Sequence, residues 1–249
     1  MKAELSSVHT LTTPQFLGQA TYLHEVLQNI DAAHLEHLMG INVTLANRVK
    51  NQIDNWNSNS ESSAAALTFR GDIYSGLTAL KWQRDDAIFA QEHLLILSGL
   101  YGLLKPFDKI KPYRLEMGYK LILPNDQRLD QFWEEQLTHA LDANDFYINL
   151  TAKEYFKVIK EQLNNSTVIS PKFLTINKKT DMPTFVTVHA KIARGSFANW
   201  LIRHKIDNPK NITGYNELNY TYDAGLSTEF EPVFVCRKFG GLGLSVRLQ

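Results

Sequence analysis

The stretch from Ala66 to Lys120 constrains this chain most, because ordinary packing does not ask for what it contains. It opens as ALTFRGDIYSGL and closes, after a helical interval, as LSGLYGLLKPFDKIKPYRLEMGYK. Three turns are crowded into it: Gly71 to Gly76 around Tyr74, Gly99 and Gly102 around Tyr101, and Pro106 to Pro112 leading into Tyr113. Arg70, Asp72, Lys105, Arg114 and Glu116 stand beside them. Glycine permits backbone conformations that other residues resist and lets another group come close. Tyrosine adds a ring and a hydroxyl. Two readings follow: a surface built around something polar, or tight turns between elements with tyrosines closing the core.

The totals bound the rest. With 249 residues, the chain is long enough to bury a core without disulfides or metal. Its single cysteine, Cys236, excludes an intramolecular disulfide and a cysteine-based zinc cluster. Flanked by apolar residues, Cys236 reads as a small buried hydrophobe. No signal-peptide run opens the sequence and no window has the length of an apolar membrane span, so a cytoplasmic, soluble protein is expected. The net charge is zero but unevenly spread. From Pro171 to Lys205, seven Lys and Arg face one acid, Asp181, whereas 125–161 carries eight acids against four bases. A basic segment of this kind points to a phosphate-bearing partner, or else to pairing with the acidic segment across the fold.

Along the chain, Thr13-Pro14 predicts a helix start, and Leu17, Ala20, Leu23, Leu27 and Ile30 recur at helical spacing. Asp31 caps a helix carrying Leu35 and Leu38; Gly40-Ile41-Asn42 forms a hairpin; a second helix carries Leu45, Ala46, Val49 and Ile53. This is the pattern of a helix-hairpin-helix at about 32–54, with Asn42 in place of the usual second glycine and tolerant of positive φ. Such a hairpin presents free N–H groups at the positive end of a helix, a phosphate site to which Thr44, Asn47, Arg48 and Lys50 can add contacts. The bland alternative is an ordinary helical hairpin. The polar run 55–63 reads as a flexible connection. Strands are expected at 64–69, 146–150, 168–176, 184–190 and 232–238, an extended segment at 115–123, and helices from Asp85 through Leu97, at 126–141, 152–159 and 194–203. No regular βαβ rhythm emerges, so the fold class is α+β or mixed α/β rather than a doubly wound sheet.

The segments FRGDIYSGL (69–77), LSGLYGLLKPFDKIKPYRLEMG (97–118), FW (132–133), INLTAKEYFK (148–157) and AKIARG (190–195) together resemble the YaaA family of bacterial peroxide-stress proteins (DUF328/UPF0246). The resemblance runs from about Thr13 to near Phe239. It implies one domain of unusual topology over 1–239, a helix-hairpin-helix, a cytoplasmic role in surviving hydrogen peroxide by limiting iron-dependent DNA damage, and no defined enzymatic reaction. The family's opening apolar strand, ending in Ser-Pro-Ala-Lys, has no counterpart in MKAELSSVHTL. Residues 240–249 read as a disordered tail, since their glycines lack a dinucleotide fingerprint.

The expected partner is double-stranded DNA, bound without base specificity by a monomer through Gly40, Ile41, Asn42, Thr44, Asn47, Arg48, Lys50, Lys191 and Arg194. The alternative is an enzyme acting on a nucleotide or phosphorylated small molecule in a pocket of Arg70, Asp72, Tyr74, Lys105, Tyr113, Arg114, Glu116 and Glu154. There, Arg114 and Lys191 grip phosphate and Glu116 or Asp72 is acid or base. Structural ion pairs are the competing reading of that cluster. No cofactor or metal is expected: His34 and His37 make no recognised ligand set, and Ser75 and Ser98 stand in no nucleophile elbow.

Overall fold

The computed structural model describes residues 10–56, 62–141 and 146–243. Helix α1 (Leu17–Gln28) buries Ala20, Leu23, His24 and Leu27, the face its spacing predicts. Thr13 does not cap it: Pro14 sets a preceding turn, its carbonyl accepting from the Leu17 N–H at 3.3 Å, and the helix starts after Phe16. Helix α2 (Ala32–Met39) is capped by Asp31 and ended by Gly40 at φ 60°. Helix α3 (Val43–Asp54) starts at Asn42. Asn42 is extended, at φ −79°, not left-handed; its side-chain oxygen accepts from the Leu45 N–H at 2.9 Å. Asparagine stands there as a helix cap and not as a glycine substitute.

Several expected elements change type. The segment 64–69 is a two-residue strand, β1 (Ser63–Ala64), running into a helical turn, α4 (Ala65–Thr68), where alanine's helix propensity wins. Helix α5 (Asp72–Leu77) follows. Helix α6 (Arg84–His93) stops short of Leu97, because Ile96–Ser98 is strand β2, paired antiparallel with β3 (Gly102–Leu104). Strand β4 (Lys109–Ile110) pairs with β1. The extended segment 115–123 contributes one isolated bridge, Ile122 to Arg128, and α7 (Leu129–Gln136) is shorter than predicted. Strand β5 (Phe146–Ile148) and helix α8 (Lys153–Lys157) lead to β6 (Thr167–Ile169) and β7 (Lys172–Ile176). The sequence predicts one strand over 168–176, but β6 and β7 are separate. Pro171, without an N–H, breaks the ladder between them, so β6 pairs with β5 while β7 pairs in parallel with β10 (Val233–Cys236). Strands β8 (Pro183–Thr184) and β9 (Thr221–Tyr222) complete the order β8-β7-β10-β9.

The largest revision is α9 (Thr187–Arg203). The β-branched run Thr184, Val186, Thr187, Val188 reads as a strand, yet the chain is helical from Thr187 because burial overrides propensity. The helix lies between two cores: Ala198 and Ile202 join the larger cluster around Trp133, Leu23 and Tyr101, while Ala190, Ala193, Phe197 and Trp200 join Phe173, Tyr215, Tyr220 and Phe234. Helix α5 crosses α9 with no side chain between the backbones. A Cβ on Gly195 would stand 1.8 Å from the Ile73 carbonyl oxygen, and one on Gly76 would stand 2.0 Å from that of Ile192. The fold is mixed α and β with small sheets. The sequence's first residues and most of the polar run 55–63 lie outside the described residues. Gly241 and Gly243 are buried, packed on Phe239 and Ile192, so the start of the expected disordered tail is docked; 244–249 lie outside the described residues.

Candidate functional site

In the glycine-rich block, what comes close at two of its turns is the protein itself. Gly102, at φ 70°, has the Trp133 ring where its Cβ would be, 2.3 Å from Cζ3. The Trp133 indole N–H donates to the Gly99 carbonyl at 2.8 Å. Tyr101 is buried, its hydroxyl accepting from the Lys111 N–H at 3.1 Å. These residues close the core, and FW at 132–133 is explained by the same contact.

A polar cluster remains at the other end of the block. The Tyr155 hydroxyl, carried by α8, donates to Glu116 Oε2 at 2.5 Å. Tyr113 and Ser98 share a hydrogen bond of 2.6 Å between their hydroxyls, and Ser98 Oγ also accepts from the Tyr101 N–H. Tyr74 stacks on Phe69 at 5.1 Å between ring centroids, and Phe69 meets Tyr113 edge-on at 5.9 Å. Burial, reinforced by the negative charge of Glu116, pushes the phenols of Tyr74 and Tyr155 well above their usual range; burial does the same for Tyr113, against the opposing hydrogen bond from Ser98. All three stay protonated at neutral pH. Thus Tyr74, Tyr113 and Glu116 come together, and Tyr155, which the sequence patterns do not single out, joins them. Its signal lies in INLTAKEYFK, one residue after Glu154.

The charged candidates divide. Arg70 donates to the carbonyls of Leu67 and Phe69 and so caps the end of α4. Asp72 opens α5, with Oδ1 beside Gly243. Lys105 is exposed on the turn before Pro106, its backbone N–H held by Asp108. Arg114 is exposed beside Tyr113. Arg194 donates to the Thr151 carbonyl at 3.2 Å; burial works against its charge and Glu154 supports it. Lys191 is exposed one turn earlier on α9. Elsewhere in the basic segment, Lys172 pairs with Glu231 and Lys205 with Asp86. A surface hollow of about 520 Å³ against α7 is lined by Glu134, Glu135 and Glu161, the wrong charge for a phosphate.

The hairpin is a second candidate surface. Thr44, Asn47 and Arg48 are exposed and share one side of α3 at three- and four-residue spacing. Lys50 is turned to structure: its ammonium donates to Asp54 at 2.6 Å and to the Gln28 carbonyl at 2.9 Å. Ile41 is half-buried against the core, and Gly40 and Asn42 are exposed. His34 and His37 are exposed on α2, His34 bonded to Asp31 at 2.8 Å. Among the described residues, no three of His, Cys, Asp and Glu are grouped so as to hold a metal ion, and no helix is long and apolar enough to cross a membrane.

Comparison with known proteins agrees with the motifs. A family model described as peroxide stress protein YaaA matches residues 1–226. A UPF0246 protein of Salinispora tropica is 42% identical over 239 residues, covering 96% of this chain and 91% of the relative. A UPF0246 protein of Crocosphaera subtropica is 37% identical over 235 residues, covering 92% and 93%. With the block at 69–118, the Trp133 contact and the Tyr155 segment all inside these matches, the chain belongs to the YaaA (UPF0246) family of peroxide-stress proteins.

Proposed function

We propose that this protein binds double-stranded DNA through its phosphates, without base specificity, and thereby limits iron-dependent DNA damage during peroxide stress in the cytoplasm. The observation that carries this reading is the exposed start of α3. Its first N–H groups precede the intrahelical bonds, at the positive end of a twelve-residue helix. Asn42 caps the Leu45 N–H, so the groups for a phosphate are those of Val43 and Thr44, with the Thr44 hydroxyl, Asn47 and Arg48 around them. Lys191 and Arg194 on α9 supply further positive charge. Such contacts hold a backbone in place and read no bases. Protein lying along the phosphates occupies anionic positions that ferrous iron would otherwise take, so protection needs no iron ligand on the protein.

The test is binding to a random-sequence duplex across a salt series. Six neutralised phosphates give a log–log slope of about −5. Arg48→Glu and Lys191→Glu each flatten the slope by about one unit, and both weaken protection of a plasmid from nicking by ferrous iron and peroxide. Absence of binding at low salt sinks the proposal.

One observation favours a second reading, an enzyme acting on a nucleotide or phosphorylated small molecule. Glu116 is exposed, held by Tyr155, and has no ion-pair partner among the described residues. Here Arg114 and Lys191 would grip phosphate, with Glu116 as acid or base. Nucleotides would then raise the melting temperature of wild type and not of Arg114→Ala, while DNA binding stays the same in both.

A further inference from the structure

Trp56, Tyr101 and Tyr113 form a chain of rings between a cation at one end and the hydrogen-bonded Tyr155–Glu116 pair at the other. Trp56 lies 6.4 Å from Tyr101 between ring centroids, and Tyr101 lies 5.5 Å from Tyr113. Tyr113 is in turn within electrostatic reach of Tyr155, Tyr74 and Glu116. At the inner end, the Lys111 ammonium sits 5.1 Å over the Trp56 ring. At the outer end stands the Glu116 carboxylate. A missing electron is a positive charge, repelled by the first group and attracted by the second.

The hydrogen bonds point the same way. A phenol that loses an electron becomes strongly acidic, and the oxidation is easy only where a base takes the proton as the electron leaves. Tyr113 is bonded to the Ser98 hydroxyl, which is no base. The Tyr101 hydroxyl accepts from a backbone N–H. Tyr155 donates directly to a carboxylate at 2.5 Å, and that carboxylate is exposed and not claimed by a cation among the described residues. Because burial keeps these phenols protonated, the rings of the chain are neutral until oxidised.

We infer that Tyr155 and Glu116 form a one-electron redox site, at which an oxidising equivalent entering the aromatic chain is trapped as a neutral tyrosyl radical. One electron leaves Tyr155 for a one-electron oxidant of the hydroxyl-radical class, which becomes hydroxide. The phenolic proton passes to Glu116, which becomes a neutral carboxylic acid. An external one-electron reductant such as ascorbate resets the site, with Glu116 returning the proton. The inference depends neither on DNA nor on a nucleotide.

Flash oxidation of the full chain with a ruthenium tris-bipyridine photosensitiser and an electron acceptor, followed by freezing and electron paramagnetic resonance, tests it. Wild type gives a neutral tyrosyl signal. Tyr155→Phe loses that signal, Tyr74→Phe keeps it, and Glu116→Gln, which keeps a hydrogen-bond acceptor but no base, loses most of it. Melting curves establish that each variant is folded. A signal undiminished in Tyr155→Phe, a Glu116→Gln variant equal to wild type, a radical resting on tryptophan, or no radical in wild type would each overturn the assignment.

Discussion

The α2–α3 hairpin and the α5–α9 crossing are both helix pairs, and opposite kinds of chemistry hold them. The hairpin is fixed by neighbours in sequence: Asp31 caps three residues ahead, Gly40 ends one helix in the left-handed region, and Asn42 starts the next. Each device acts within a turn and tolerates adjustment. The crossing is fixed by residues 119 apart, Gly76 and Gly195, whose missing side chains let two backbones touch. Nothing there can adjust, because what a new atom would meet is backbone. The hairpin is therefore suited to a surface that must yield to a ligand, and the crossing to a frame. One turn along α9 from Gly195, the Trp82 indole N–H donates to Asn199 Oδ1 at 2.8 Å, tying the same helix to the segment after α5.

The sharpest way to break the comparison is to add one carbon to the frame. Gly195→Ala puts a Cβ 1.8 Å from the Ile73 carbonyl and 2.7 Å from the Leu77 nitrogen. Overpacking against backbone is at the severe end of such changes, so the expected loss is about 3 kcal/mol or more. For a chain of this size that is roughly 10 °C in melting temperature. The matched control is Gly18→Ala in α1, where nothing lies within 4 Å of the new atom. That change gains about 0.5 kcal/mol by restricting the unfolded chain. Equal melting temperatures for the two variants would mean that α5 and α9 do not touch as described.

A smaller effect concerns how α6 is tied to the end of α9. Asp86, buried in α6, receives the Lys205 ammonium at 2.6 Å and the Gln83 N–H at 3.0 Å. Burial alone would raise its carboxyl; Lys205, the Gln83 N–H and Arg203 outweigh that and hold it below the usual value of 3.8. Between the folded and unfolded values the unfolded chain binds the extra proton. The stability from this pair is therefore complete above the unfolded value and is lost as pH falls through the folded one. Lys205→Met leaves Asp86 buried without its cation and costs about 2 kcal/mol at neutral pH, less than for a fully buried pair because Lys205 is partly in solvent. Urea titrations from pH 6 down to pH 3 check this: wild type loses stability over the range, and Asp86→Asn has a shallower slope. Parallel slopes would remove the pair from the account.

The same contrast explains what the sequence could tell. The caps at Asp31 and Gly40 and the buried faces of α1 and α3 are local patterns, and they were legible. Asn42 was legible as a turn residue but not as a cap, because asparagine serves both and its φ decides. The strand assigned at 184–190 failed because β-branched residues favour strands only while nothing outside the segment intervenes; α9 is helical because two cores close on it. The glycine-rich block was ambiguous for a related reason. Glycine announces that something approaches and does not say what, and at Gly99 and Gly102 it was Leu115 and Trp133. Tyr155 was missed because its partner, Glu116, is 39 residues away.

The smallest predicted effect separates stability from binding at the hairpin. Removing the Asn42 side chain deletes a cap, so Asn42→Ala costs about 1 kcal/mol, whereas Asn42→Gly costs only a few tenths. Neither change touches the core, since Asn42 is exposed. Both leave the Leu45 N–H without its acceptor, and so add one donor to the open start of α3. A phosphate seated there would take that donor. Asn42→Gly should then bind duplex DNA at least as tightly as wild type while melting slightly lower. Arg48→Glu should do the reverse, keeping its melting temperature and losing affinity. If Asn42→Gly and Arg48→Glu weaken DNA binding equally, the phosphate does not sit on the helix terminus. The surface would then have to be sought along α9, at Lys191 and Arg194, on the rigid side of the comparison.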